Sequence, residues 1–270
     1  MSREIRYEYS ASAQPPDPTP SSPLYTTPLP YATGYYKAIA KEYGVWSAVT
    51  SKSFGIVPTD YIAYYPFTGN ANDETGNYNA TNYKATLTTG VKEESNTAYY
   101  YDGSGYMIVP SKPWSENISI SFWFYTDNYG STNPNDSGKA IIFKADDTGY
   151  VQDYSIMLDN TNGQRLKFVF GNAIGSYVET ITNSNLPVNQ WTHIVCIRNN
   201  GTIKIYVNGV TDATNTYIFT PINNNKLLYF GRNPGFVPKH NYIGKIDDVR
   251  MYNYEILQDK VTEIYNYEKL

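Results

Sequence analysis

Two pairs of adjacent aspartates, Asp146-Asp147 and Asp247-Asp248, are side chains of this 270-residue chain whose type could serve acid–base chemistry. Cleaving a glycosidic bond that way needs two carboxyl groups facing one cleft. Neighbours on a strand point to opposite faces, so neither pair is expected to flank one scissile bond. His193 and Cys196 lie three apart in "WTHIVCIR", an alternating run that puts them on opposite faces and rules out a local Cys-His pair. His193 reads as a satisfied strand histidine and His240, in "GFVPKHNY", as a loop residue; two isolated histidines do not make a zinc site. In residues 70–81, Asn70, Asn72 and Glu74 mimic the first ligands of a calcium-binding EF-hand. Thr75 then stands where that loop needs glycine, and Thr81 where it needs glutamate. No G-x-S-x-G, H-E-x-x-H, G-x-x-x-x-G-K or G-x-G-x-x-G occurs, and the chain is expected to be non-enzymatic.

A sugar site would show as exposed aromatics beside amides or acids, because a pyranose has an apolar face and a rim of hydroxyls. Trp114, Phe236, His240 and Tyr242 sit in predicted loops and are the candidates. Trp123 and Trp191 lie inside strong strand runs and are expected in the core.

The elements that must carry these residues are strands. From Tyr61 onward, short alternating runs recur between turn residues: "NISISFWFYTD", "RLKFVFG", "YVETITN", "WTHIVCIR", "TIKIYVNG". Asn200-Gly201 and Asn208-Gly209 supply the positive-φ pairs that two-residue hairpins demand. About a dozen strands are too many for one open sheet, so an antiparallel two-sheet sandwich is expected. Leu257, Val261, Ile264 and Tyr265 are spaced for one short amphipathic helix that closes the domain.

Residues 15–30 hold seven of the 16 prolines and read as an extended, polyproline-like arm. "YYKAIAKEYGVW" places Ile39, Tyr43 and Trp46 at helical spacing, so a short helix is expected over about 36–48, with Gly44 weakening it. The chain thus divides into an arm, 1–57, and a sandwich, 58–270. Its aromatic density marks the arm as an assembly element through Tyr36, Ile39, Tyr43 and Trp46.

Net charge is -4 and charged residues are only 17%, which disfavours nucleic acid and anionic membranes as partners. A single cysteine, Cys196, excludes an intrachain disulfide. No apolar run approaches the roughly 20 residues of a membrane helix, and "MSREIRYEYS" lacks the apolar core of an export signal.

Six motifs in order, "YYPFTGNANDETGN", "AYYYDGSGYMIVP", "SISFWFY", "WTHIVCIR", "KIYVNG" and "IGKIDDVRMYNYEILQDKVTEIY", resemble the laminin-G-like, concanavalin A-like jelly-roll family in its bacterial and viral branch. The resemblance covers about Tyr61 to Tyr267. It implies an all-β jelly-roll sandwich of two antiparallel sheets with a carbohydrate-binding or adhesive role and, often, a structural calcium ion. It also implies that the opening and closing motifs lie side by side, bringing Asp73 near Asp247 as calcium ligands, with Asn72 and Asp248 as further donors; the alternative is that Asp73 caps its turn. The E-x-D-x-x-E strand of jelly-roll glycoside hydrolases is absent.

The expected function is a non-enzymatic virion component, a capsid decoration or fibre subunit of a bacteriophage. Its arm would grip other virion proteins and its sandwich would bind host or environmental glycans at the virion surface. A homo-oligomer is expected. The alternatives are a bacterial cell-surface or secreted carbohydrate-binding module and a cement protein without a sugar ligand.

Overall fold

The computed structural model describes residues 4–11, 15–27, 34–54, 59–110, 116–130, 138–145, 152–161, 163–172, 176–222, 226–236 and 239–269. Contacts divide the chain into two units, Met1–Pro58 and Thr59–Leu270.

The first unit holds β1 (Glu4–Ser10), β2 (Gly34–Glu42), β3 (Val45–Trp46) and β4 (Thr50–Phe54). Antiparallel β1 pairs with one edge of β2, and β3 and β4 share the other. The helix expected over 36–48 is therefore a strand and a hairpin. Tyr43 and Gly44, at φ 52° and 82°, form the two-residue turn between Glu42 and Val45. Tyr35, Tyr36 and Ile39 favour the pleated surface, and pairing with β1 decides a segment whose spacing fits both periods. Ile39 is buried, Tyr36 packs on Tyr9 of β1 at 4.7 Å, and the Lys41 ammonium lies 5.4 Å from the Trp46 ring. Tyr43 is 80% exposed. The described part of the proline-rich stretch runs along the outer edge of β1, where the Tyr7 N–H donates to the Pro23 carbonyl and the Tyr25 N–H to that of Ile5. Covering an edge in this way needs few donors from the covering chain, which suits proline.

The second unit runs β5 (Ala63–Tyr65), β6 (Thr81–Tyr83), β7 (Thr86–Thr88), β8 (Ala98–Asp102), β9 (Tyr106–Val109), β10 (Ile118–Tyr125), β11 (Lys139–Ala145), β12 (Gln152–Asp159), β13 (Arg165–Gly171), β14 (Tyr177–Ile181), β15 (Thr192–Asn199), β16 (Thr202–Val207), β17 (Val210–Thr216), β18 (Leu228–Phe230), a 3₁₀ turn at Pro234–Phe236, β19 (Ile243–Tyr252) and α1 (Gln258–Glu268). One antiparallel sheet orders β17-β16-β15-β10-β19-β8-β7, with β5 also on β19. The other orders β14-β13-β12-β11-β18-β9-β6. Between them lies the core, where Ile118, Ile120, Phe122 and Phe124 share one cluster with Phe168, Phe170, Phe230 and Tyr65. Each such side chain contributes roughly 1.5–3 kcal/mol by leaving water. Both Asn-Gly pairs turn as expected, with φ 43° and 81° at 200–201 and 49° and 81° at 208–209.

The outer face of β10 is not the wet face that alternation predicts. Ser119, Ser121 and Trp123 are all buried. The Ser119 hydroxyl donates to the Tyr254 carbonyl and accepts the Ile256 N–H, so the segment after β19 folds back over the sheet. It ends in α1, whose Val261 and Ile264 are buried and whose Tyr265 stacks on Trp123 at 5.7 Å. Leu257, expected on the buried stripe, stands at the N-cap and is largely exposed, because the helix begins one residue later. Among the described residues, no helix is long and apolar enough to cross a membrane.

Candidate functional site

The two ends of the sandwich meet as expected, since β5 pairs with β19 through Tyr64↔Arg250 and Tyr65↔Val249. What Asp73 does there is settled by its hydrogen bonds. Its Oδ1 accepts the N–H groups of Tyr64 (2.8 Å) and Thr75 (3.2 Å); its Oδ2 accepts the Thr75 hydroxyl and the Tyr78 N–H (3.1 Å). A carboxylate has about four lone-pair sites, and all four are taken by donors. Asp73 therefore ties the turn to β5 and has no oxygen to give a cation, so a calcium ion shared with Asp247 does not fit these residues. Asn72 is exposed, and its N–H donates to Asn70 Oδ1 in an Asn turn. Among the described residues no group of three or more carboxylate, histidine or cysteine ligands converges.

At the closing end the chain breaks the strand rule. Between Ser121↔Arg250 and Trp123↔Asp247 the register shifts, leaving one extra residue in β19, and Asp248 sits at φ 48°. Such a bulge bends the strand and re-aims its side chains. As a result Asp247 and Asp248 both line one cleft, contrary to the opposite-face expectation for adjacent strand residues. Tyr64, Lys92, Glu94, Arg250 and Tyr267 also border this cleft of about 160 Å³. That is below the roughly 300–1,000 Å³ of drug-sized pockets, enough for one small polar unit.

The electrostatics of the cleft are unusual. Asp247 is 2% exposed, and burial, with the charge of Asp248 next, pushes its carboxyl up to about 8. The Val91 N–H donates to its Oδ2 (2.9 Å) and the Asp248 N–H to its Oδ1 (2.8 Å). Gly90 permits that approach, since a Cβ there would lie 2.4 Å from Asp247 Oδ2. Asp248 Oδ1 accepts the Tyr64 hydroxyl (2.7 Å) and Arg250 Nη2 (3.3 Å). The Arg250 guanidinium stacks on Tyr64 at 3.9 Å, and its Nε has no partner among the described residues. The Lys92 ammonium sits 4.4 Å from the ring of Tyr267, which is 41% exposed.

Behind the cleft a buried network pins α1. Glu268 accepts the Trp123 Nε1–H (2.7 Å) and pairs with Arg250. His193, whose Nε2 is 2.9 Å from the Ser121 hydroxyl, is held neutral because burial, then Arg250, lowers its pKa to about 3. Its 3.9 Å approach to Glu268 is accordingly not an ion pair. Cys196 faces the core on the opposite side of β15, and burial raises its thiol pKa.

The expected sugar-binding residues fare unevenly. Trp114 and the pair Asp146-Asp147 lie outside the described residues, as does the Phe236 side chain. Tyr242 is fully buried and donates its hydroxyl to the carbonyls of Tyr125 and Lys245, so it is a core residue. A buried phenol needs such partners, and a sequence written as a loop hides that. His240 is half-exposed. Trp191, expected in the core, is half-exposed next to Tyr125, because it precedes β15 on the outer face.

With the geometry in place, likeness to known proteins is informative. The sequence profile of the concanavalin A-like lectin/glucanases superfamily matches residues 101–262. No curated protein sequence matches significantly. Among solved structures, domain 4 of AbnA, an extracellular GH43 arabinanase from Geobacillus stearothermophilus solved with arabinotriose, is similar at TM-score 0.60 and 23% identity, over 76% of this chain and 98% of that one. The binding domain of Paraclostridial Mosquitocidal Protein 1 gives TM-score 0.61 at 17% identity, over 77% and 51%. The botulinum neurotoxin serotype D ligand binding domain, solved with N-acetylneuraminic acid, gives 0.59 at 19%, over 77% and 50%. The chain spans about half the length of those toxin domains, and at these identities the likeness is one of fold.

Proposed function

Because the chain belongs to the concanavalin A-like lectin/glucanase superfamily, we propose that its sandwich is a non-enzymatic glycan-binding module which the first unit attaches to a larger assembly, such as a virion. The cleft carries the reading. Arg250, the Lys92 side chain, Asp248 and Tyr267 all border a space fit for one sugar unit, with the Lys92 ammonium at the Tyr267 ring. Hydroxyls would be met from both sides, by donors and by acceptors. Asp247, sunk beneath Val91 and Gly90 with both oxygens engaged, is poorly placed to exchange protons with a substrate. Similar folds solved with arabinotriose and N-acetylneuraminic acid support a saccharide as the ligand class.

The attachment role rests on the first unit. Among its described residues Ile39 is the one buried large apolar side chain, while Tyr43, Val45, Leu24 and Tyr25 are exposed. A sheet this thin gains little from its own core, and burial against other virion proteins or further copies of the chain would complete it.

A glycan array probed with the full chain tests the sugar reading, followed by calorimetry on Lys92→Ala/Tyr267→Ala. Binding that falls at least tenfold in the double variant is expected; a folded protein that is silent across the array would overturn it. Immunolabelling of purified particles tests the placement, and unlabelled particles refute it. The cement reading is favoured by the exposed aromatics of the first unit, and it is selected if the array is silent while loss of residues 1–58 abolishes assembly.

A further inference from the structure

The outer face of the sheet containing β10 is only partly covered. The end of α1 reaches Trp123 and His193 through Glu268 and Tyr265. Two residues further along each strand, on the same face, stand Tyr125 after Trp123 and Trp191 before His193, with Lys245 two residues before Asp247 in β19. Lys245 is the direct partner of Tyr100 in β8 on one side and of Tyr125 in β10 on the other, and directly opposed residues share a face. Trp191 follows in the same line, because Thr192 pairs with Phe124 and the Trp191 and Tyr125 rings are 5.8 Å apart in edge contact. Tyr100, Lys245, Tyr125 and Trp191 are all half-exposed. They make one row across β8, β19, β10 and the start of β15, roughly 14 Å long at about 4.8 Å per strand.

The row combines apolar ring faces with one cation. The Lys245 ammonium lies 4.8 Å from the Tyr125 ring and 6.0 Å from that of Trp191, so the cation stands at the aromatic pair itself. The acid on the same face of β8, Asp102, is engaged by its own turn, accepting the N–H groups of Ser104 and Gly105 (2.8 Å each) and the Ser104 hydroxyl. The strand spacing is close to the repeat of consecutive pyranose units; Asp102 stays an anion turned to its own hairpin, and the charged side chain within the row, Lys245, is a cation.

We propose that this row is a second, extended docking surface, separate from the cleft, for a glycan chain whose sugar faces lie on Tyr100, Tyr125 and Trp191 and whose carboxylate meets Lys245. The proposal rests on the glycan-binding reading of the sandwich. It adds the class of sugar, a uronic or other carboxylate-bearing chain, and a site more than one unit long.

Calorimetry of the full chain with oligogalacturonides and with neutral galacto-oligosaccharides of equal length tests it. The acidic series should bind more tightly, gain affinity with each added unit up to three or four, and weaken as salt rises. Trp191→Ala and Tyr125→Ala should each lower affinity about tenfold, a loss equivalent to about 1.4 kcal/mol. Lys245→Met, which removes the cation and keeps an unbranched apolar side chain, should abolish the preference for acidic over neutral chains and leave the protein folded. Equal affinity for both series, or unaltered affinity in folded Trp191→Ala and Tyr125→Ala, would overturn the row. Binding lost only in Lys92→Ala/Tyr267→Ala would leave the cleft standing and refute the row; the converse would do the reverse. Concentration-dependent dimerisation blocked by Trp191→Ala, without glycan binding, would reassign the row to contact between copies and refute the proposal.

Discussion

Replacing Glu268 by alanine is the sharpest test of how the C-terminal helix is held. Its side chain is 1% exposed, accepts the Trp123 Nε1–H at 2.7 Å and neutralises Arg250, itself 4% exposed. Alanine would leave a buried guanidinium with one remaining acid, Asp248 at 3.3 Å, and an indole N–H with no acceptor. Breaking a buried pair by removing one partner costs about 3–5 kcal/mol, and an orphaned donor about 1–3. The two overlap at one site, and Asp248 offsets part of the first, so a total of about 3–5 kcal/mol is expected. For a unit the size of Thr59–Leu270 that lowers Tm by roughly 6–20 °C. Thermal unfolding of the full chain by near-ultraviolet circular dichroism would report it. The loss should be equal at low salt and at about 1 M salt, because a buried pair is poorly screened. Glu268→Gln, which keeps an acceptor for Trp123, should lie between the variant and the parent. A shift under about 3 °C, or one that salt removes, would refute the reasoning.

Asp247 titrates the wrong way for a stabilising acid. Its folded pKa is raised to about 8, so the folded state keeps a proton that the unfolded chain releases near pH 4; this group's contribution is fully present below about pH 4, falls as pH rises to about 8 and is flat above. Urea unfolding of Asp247→Asn should show a flatter dependence between about pH 5 and pH 8 than the parent; parallel profiles would count against it. His193 runs the opposite way, its lowered pKa withdrawing stability as pH falls from about 6.5 towards 3, and His193→Gln should reduce that acid sensitivity in the same assay. Asp73→Ala frees four donors and should cost about 2–4 kcal/mol, while calcium and EDTA should leave the parent's melting temperature unmoved; a calcium-dependent rise would contradict the saturated carboxylate. Gly231→Ala should destabilise by more than about 2 kcal/mol in chemical unfolding, because φ is 81° there and a Cβ would fall 2.4 Å from the Tyr101 ring.

The sandwich was readable because its signals are local. Alternation in "SISFWFY" and the two Asn-Gly turns need no knowledge of partners, and the structure places Ile118 through Phe124 and residues 200–201 and 208–209 as they require. Asp73 was readable only as two alternatives, and its turn-capping bonds select one. Three features depend on what lies across the chain and left little trace. The Tyr43-Gly44 turn needed a non-glycine residue at positive φ, which spacing alone reads as helix. The bulge at Asp248 exists because β10 offers one residue fewer than β19, so two carboxylates that alternation separates share a cleft. Ser121, on the outer face of β10, looks solvent-facing until α1 is laid over it and over its partner His193. The Trp191 and Tyr125 row is the same problem in reverse, since a large aromatic in a strand run reads as core unless its face is known.

The pairing of β5 with β19 also sets how the sandwich carries load. β5 is three residues long, and Ala63 at its start faces Met251 near the end of β19. A pull between the chain before β5 and the chain after β19 parts this ladder one bond at a time, as a zip. A pull between the chain before β5 and the start of β19 loads the antiparallel ladder in shear. It is then reinforced by the Asp73 bond to the Tyr64 N–H and by the Tyr64 hydroxyl on Asp248. Bonds that share tension fail together at higher force than bonds that fail in turn, so the β5–β19 ladder resists shear better than peeling.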